Sequence, residues 1–239
     1  MSRSLSTIGF DADDTLWQNE TFYRLTATRF AELLGGYVDA DRLSERLSAA
    51  EGRNLKLYGY GIKGFTLSMV ETAIEVTGGK VPASVIGDIL AAGRDMLVHP
   101  VEALPHARDA LERLAGSYRI VLITKGDLFD QERKLAASGL GELFDAVEIV
   151  SDKTRATYER IFRQHGDGPE RAMMVGNSLK SDVVPAIEAG SWGVYVPHDF
   201  TWEHEHAPEP AGSPRFRKLS DLGQLPDLIQ EIGRAATRS

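Results

Sequence analysis

The chain contains no cysteine. Disulfides, thiolate metal sites and a cysteine nucleophile are therefore excluded, and a reducing cytoplasm is the expected setting. The chain also lacks an excess of positive charge. Its 27 Lys and Arg stand against 35 Asp and Glu, a net charge of −8. Binding a nucleic-acid polymer through its phosphates needs a basic surface, so none is expected as partner. No apolar run approaches the roughly 20 residues of a membrane-spanning helix, so no membrane partner is expected. No positively charged segment with an apolar core precedes the first apolar run, so no signal peptide is expected. Internal repeats and low-complexity tracts are absent too. What is present is 239 residues, 42% hydrophobic and 26% charged. That is enough chain for one or two domains with a real core.

The apolar pattern divides the chain. Thr7 to Phe10 reads as a strand, and then about ninety residues pass without another. Phe22, Leu25, Phe30, Leu33 and Leu34 suggest an amphipathic helix face closed by Gly35-Gly36. Leu43 and Leu47 follow Asp39, an N-cap candidate. Leu67, Val70 and Ile74 suggest a further helix, as do Val85, Ile89, Met96 and Leu97 after Pro82. Gln18 to Pro100 is thus read as a helical insertion. Strands and helices alternate from there: strands at 119–124, 146–150, 172–175 and 194–196, helices between them, a loop over His198 to Pro214 and a last helix over Leu222 to Ile232. Such alternation predicts a doubly wound parallel sheet in an α/β three-layer sandwich. The expected division is 1–17 with 101–239 as core and 18–100 as a second domain.

The most informative stretch is Gly9-Phe10-Asp11-Ala12-Asp13-Asp14-Thr15-Leu16. Two acids one residue apart leave the end of a strand, and alternate strand residues share a face. Parallel sheets bind ligands beyond the carboxyl ends of their strands. Two bare carboxylates about 4 Å apart repel by roughly 4 kcal/mol at an effective dielectric near 20. A cation, a proton or a reaction has to justify such a pair. Three more strand ends carry polar residues suited to phosphate: Thr124 with Lys125-Gly126-Asp127, Lys153 within Ser151-Asp152-Lys153, and Gly176-Asn177-Ser178-Leu179-Lys180-Ser181-Asp182.

In order and context these motifs resemble the haloacid dehalogenase-like hydrolase superfamily, over nearly the whole chain. The insertion is similar to that family's small helical cap. The resemblance implies a Mg²⁺-dependent phosphatase that acts on a small phosphorylated metabolite through an aspartyl-phosphate, as a monomer or homodimer. It implies Asp11 as nucleophile, Asp13 as general acid and then base, Thr124 on a phosphoryl oxygen, and Lys153 as the neutralising charge. Asn177 and Asp182 would help hold Mg²⁺ with Asp11 and the carbonyl of Asp13. It also implies the strand order 3-2-1-4-5. The alternatives are a dehalogenase or phosphonatase of the same superfamily, or a noncatalytic phosphometabolite-binding protein. True dehalogenases lack an acid at the place of Asp13, which favours a phosphatase. Phosphonatases use a Schiff-base lysine from the cap, where Lys56 and Lys63 lie.

Two positions depart from the family pattern. Residue 177 is Asn where an acid is usual, which predicts weaker metal affinity, and Thr154 follows Lys153 where Pro is common. The segment Arg53 to Lys63, mixing Gly, Tyr and basic residues, is either a substrate-facing loop or an ordinary helix connection. In the first case Arg53, Tyr58 and Lys125 join the substrate-binding set. Ser181 and Asp182 are N-cap candidates for a helix over Val183 to Ala189. His198, His204 and His206, with Glu203 and Glu205, are read as surface loop residues rather than a metal cluster.

Overall fold

The computed structural model describes residues 5–200, 202 and 205–237. Six parallel strands form one sheet in the order β3-β2-β1-β4-β5-β6. They are β1 (Thr7–Phe10), β2 (Arg119–Lys125), β3 (Ala146–Val150), β4 (Ala172–Gly176), β5 (Trp192–Tyr195) and β6 (Phe216–Lys218). The first five follow the expected order. β6 was not expected: it is a three-residue edge strand pairing Val194 with Arg217, too short and too basic to carry an apolar signature. β1 lies centrally, in register with β2 (Phe10 opposite Leu122) and β4 (Phe10 opposite Val175).

Side-chain alternation splits the sheet's two faces. Ile8, Phe10, Ile120, Leu122, Met173 and Val175 enter one core with Leu111 and Leu114 of helix α5 (Ala107–Leu114) and Leu225 and Ile229 of α9 (Leu225–Thr237). Val121, Ile123 and Met174 enter the other with Tyr158 and Phe162 of α7 (Arg155–Gln164) and Ala186 of α8 (Val184–Glu188). Two buried faces explain why RIVLIT is a near-continuous apolar run rather than an alternating one.

The described residues fall into two compact units. One holds the chain through Gln18, Val101–Lys125 and the chain from Arg133 onward; the other holds Asn19–Pro100 and Gly126–Glu132. Where the chain leaves the first unit and returns, it runs antiparallel to itself. Gln18 N donates to the Glu102 carbonyl at 2.9 Å, and Leu104 N to the Leu16 carbonyl at 2.9 Å.

The second unit contains helices α1 (Glu20–Leu34), α2 (Ala40–Tyr58), α3 (Ile62–Val76) and α4 (Ala83–Leu97). Phe30, Leu34, Leu43, Leu47, Phe65, Met69, Ile89 and Met96 form its core. Asp39 caps α2 by accepting from Arg42 N at 2.9 Å, as its position suggested. Three expected core residues are exposed: Leu25, Leu67 and Ile74. In α3 the buried face runs through Phe65, Met69 and Ala73, one turn apart. Apolar residues surround that helix, so spacing alone did not select the face. The Arg53 to Lys63 segment is mostly helical. Only residues 59–61 connect α2 to α3, with Gly59 and Gly61 at φ of 74° and 114°.

Candidate active site

Asp11 follows β1 directly, its N–H donating to the Val175 carbonyl at 2.9 Å. The chain then turns back tightly. Leu16 N bonds the Ala12 carbonyl at 2.8 Å, Asp14 N bonds the Trp17 carbonyl at 2.8 Å, and Asp14 adopts a φ of 58°. The turn leaves the Asp11 side chain 10% exposed. It accepts from Thr15 Oγ1 at 3.1 Å and from Lys153 Nζ.

Lys153 and Asp182 are both buried. Lys153 Nζ also donates to Asp182 Oδ1 at 2.7 Å, and Ser178 N donates to Asp182 Oδ2 at 2.9 Å. A buried ammonium needs such partners, since desolvation costs several kcal/mol per ion. Burial and then the Asp182 carboxylate push the Asp11 carboxyl up to about 7, against the pull of Lys153. Burial opposes the Lys153 charge, yet the Asp11 and Asp182 carboxylates hold it well above its ordinary value. Gly176 makes this packing possible: a Cβ there would stand 2.2 Å from Asp182 Oδ2. The N-cap of the following turn is Ser178, whose hydroxyl accepts from Ser181 N at 2.9 Å, rather than Ser181 or Asp182. That turn begins as a π-helical segment, Leu179–Val183, before α8.

One terminal atom of the Asn177 side-chain amide, the inward one, lies 3.1 Å from Asp11 Oδ2 and 3.2 Å from the Asp13 carbonyl oxygen. With its nitrogen inward, the amide hydrogen-bonds both. With its oxygen inward, three oxygens converge, which is the donor chemistry of a hard cation such as Mg²⁺. These residues therefore fit the metal the resemblance implies. Asp182, also expected in that set, meets Asp11 through Lys153. Among the described residues no group of three His, Asp or Glu side chains is placed to share a metal. A carbonyl and an amide would have to complete the shell.

Asp13 has its own partners. Lys134 Nζ donates to Oδ1 at 2.6 Å and to Oδ2 at 2.8 Å, and Trp17 Nε1 donates to Oδ1 at 2.7 Å. The two acids are thus held by two different ammoniums, which answers the repulsion their spacing implied. Lys134 belongs to α6 (Leu128–Ser138) and escaped the sequence reading. No periodicity in the sequence marks it: that helix buries Asp130, Gln131 and Lys134 while exposing Leu128 and Phe129 at 59% and 70%.

Thr124, at the end of β2, is buried, and its hydroxyl makes a 3.3 Å bond to the Lys125 carbonyl. The Lys125 ammonium donates to Ser181 Oγ at 2.7 Å and Glu205 Oε1 at 2.6 Å. Ser178 and Ser181 hydroxyls each reach Glu205 Oε2 at 2.5 Å. Glu205 is therefore a pinned, largely buried carboxylate and not the surface loop residue expected. Burial works against its charge, but Lys125 and the two serines hold its carboxyl below the usual range. Glu203 and His204 lie outside the described residues. Arg53 and Tyr58 belong to the helical unit. There Arg53 lies 3.8 Å from Glu75, and the Tyr58 hydroxyl donates to Glu71 at 3.0 Å.

Fold and site define the class first: a doubly wound α/β enzyme with acids and a buried lysine at the carboxyl edge of its sheet. A family model for haloacid dehalogenase-like hydrolases matches residues 5–190, and the chain belongs to that family. A solved haloacid dehalogenase-like family hydrolase from Xanthomonas campestris is 43% identical. The two superpose with a TM-score of 0.88 over 98% of this chain and 94% of that one. The glyceraldehyde 3-phosphate phosphatase of Methanothermobacter thermautotrophicus is 29% identical over 118 residues, 47% of this chain and 51% of the relative. The pyrimidine 5'-nucleotidase YjjG of Escherichia coli is 27% identical over 133 residues, 53% of this chain and 56% of the relative. The chain thus spans about half the length of these curated relatives.

Proposed function

We propose that the protein is a magnesium-dependent phosphatase that hydrolyses a small phosphomonoester through a phosphorylated Asp11. The observation that carries this reading is the buried contact of Asp11 with Lys153, itself oriented by Asp182. A surface ion pair would need none of that burial. A buried carboxylate beside a fixed ammonium is suited to meet a phosphate whose charge must be neutralised.

Asp11 attacks phosphorus, and the bond to the leaving oxygen breaks. Asp13 delivers a proton to that oxygen, then takes one from the water that hydrolyses the acyl phosphate. Thr124 and neighbouring backbone N–H groups hold the equatorial oxygens with Lys153. Asp11, the Asp13 carbonyl and Asn177 would hold Mg²⁺, which supplies further neutralisation of phosphate charge.

The acid at position 13 favours phosphoryl over dehalogenase chemistry. Lys63, one of the two cap lysines considered for a Schiff base with Lys56, is bound to both Asp127 oxygens at 2.9 and 3.0 Å, a poor state for an amine nucleophile. The two curated relatives are named for small phosphorylated substrates, which supports a substrate of that size. Phosphate release from p-nitrophenyl phosphate, with Mg²⁺ and with excess EDTA, tests the reading. Turnover is expected to need the metal and to fall at least about a thousandfold in Asp11→Asn. Equal rates in EDTA, or an active Asp11→Asn, would overturn it.

A further inference from the structure

We infer that Lys134 and Trp17 are positioning residues that fix the Asp13 carboxyl group for proton transfer with the leaving group. The inference rests on the phosphatase reading and deepens it. Three hydrogen bonds converge on this one side chain: 2.6 and 2.8 Å from Lys134 and 2.7 Å from Trp17. Oδ1 receives two of them, so both the plane of the carboxyl group and its rotation are set. A proton donor 1 Å out of place loses much of its effect, because catalysis by position depends on alignment.

Neither donor is a casual surface contact. Trp17 is fully buried, and Lys134 is 7% exposed. A buried indole N–H and a buried ammonium each require a partner, and both use the same carboxylate. Trp17 is tied into the turn that carries Asp13, since its carbonyl accepts from Asp14 N at 2.8 Å. Lys134 arrives from a different element, α6. Were the pair only a staple between helix and turn, α6 would be expected to bury its apolar residues. It exposes Leu128 and Phe129 instead, packs Leu135 only partly buried against the core, and buries a polar face of Asp130, Gln131 and Lys134.

The test compares two substrates of nearly the same shape, p-nitrophenyl phosphate and phenyl phosphate. Phenol is the poorer leaving group and depends more on a well-placed proton. In Lys134→Met, kcat/KM is expected to fall about tenfold more on phenyl phosphate than on p-nitrophenyl phosphate. Lys134→Arg should recover part of the difference. Trp17→Phe, which keeps a ring but removes the N–H, should show the same selectivity on a smaller scale. It also carries the test if thermal melting shows that Lys134→Met does not fold. Equal losses on both substrates in both variants would make the contacts structural and overturn the inference. A wild type inactive on both phosphates, although folded and supplied with magnesium, would overturn the proposed function itself and this inference with it.

Discussion

Asn177 concentrates the departure from the family pattern in one atom. Its amide can give the site either a nitrogen that binds Asp11 Oδ2 and the Asp13 carbonyl or an oxygen that joins them. An Asp in its place has only oxygens to offer, and it adds a negative charge a few ångströms from a cation. Asn177→Asp should therefore bind Mg²⁺ more tightly, by about tenfold or more on Coulomb grounds. Without metal the same variant should be less stable by about 1–2 kcal/mol, and so melt earlier, for want of the amide's hydrogen bonds. Calorimetric Mg²⁺ titration and metal-free melting check the two halves. Unchanged or weaker Mg²⁺ binding would remove Asn177 from the proposed metal shell. The resemblance made position 177 stand out, but only the geometry reveals the amide's two possible faces.

At the scale of elements, β3 and α7 are joined by a carboxylate that serves three donors. Glu148 accepts from Arg160 at 3.0 Å and from Gln164 at 3.4 Å, and lies 2.7 Å from His165 Nε2. Burial opposes its charge, but the His165 and Arg160 contacts leave its carboxyl below the ordinary 4.5. A carboxyl lowered on folding contributes stability above its unfolded value, and that contribution is lost as pH falls through the folded one. Glu148→Gln should cost about 1 kcal/mol at pH 7. The difference should shrink as pH drops below 4.5 and vanish when both proteins carry a neutral side chain. Melting curves at pH 7 and pH 3.5 check this; a pH-independent difference would assign the effect to packing.

Legibility from sequence also divides by element. β1, β2, β3 and β4 were readable because two buried faces or a short apolar run between turns leave little choice. β6 was not, because Phe216-Arg217-Lys218 pairs only through backbone at the sheet's edge. The helical faces of α1 and α3 were misjudged where apolar residues lie on several sides, as with Leu25, Leu67 and Ile74. The strand-end residues Asp11, Asp13, Thr124, Lys153 and Asn177 were legible because topology alone gathers them. Lys134 and Glu205 were not: each reaches the site as a side chain from a helix or a loop, and no periodicity records that.

At the scale of the whole molecule, the sheet acts as a collecting frame. Its central strand supplies Asp11, and its neighbours supply Thr124 and the 176–182 turn. The segment after β3 supplies Lys153. The order β3-β2-β1-β4-β5-β6 thus makes neighbours of residues up to 171 positions apart in sequence, Asp11 and Asp182 both meeting Lys153. Two ammoniums hold the two acids apart in role as well as in space: Lys153 with the proposed nucleophile, Lys134 with the proposed proton carrier. Phosphorylation of Asp11 is the step on which the proposed chemistry turns. Its most direct test is a rapid acid quench of the magnesium-loaded enzyme turning over a phosphate-labelled substrate, followed by peptide mapping. Label is expected on the peptide that carries Asp11 and none in Asp11→Asn. Turnover with no label on protein, or label on a different residue, would contradict it.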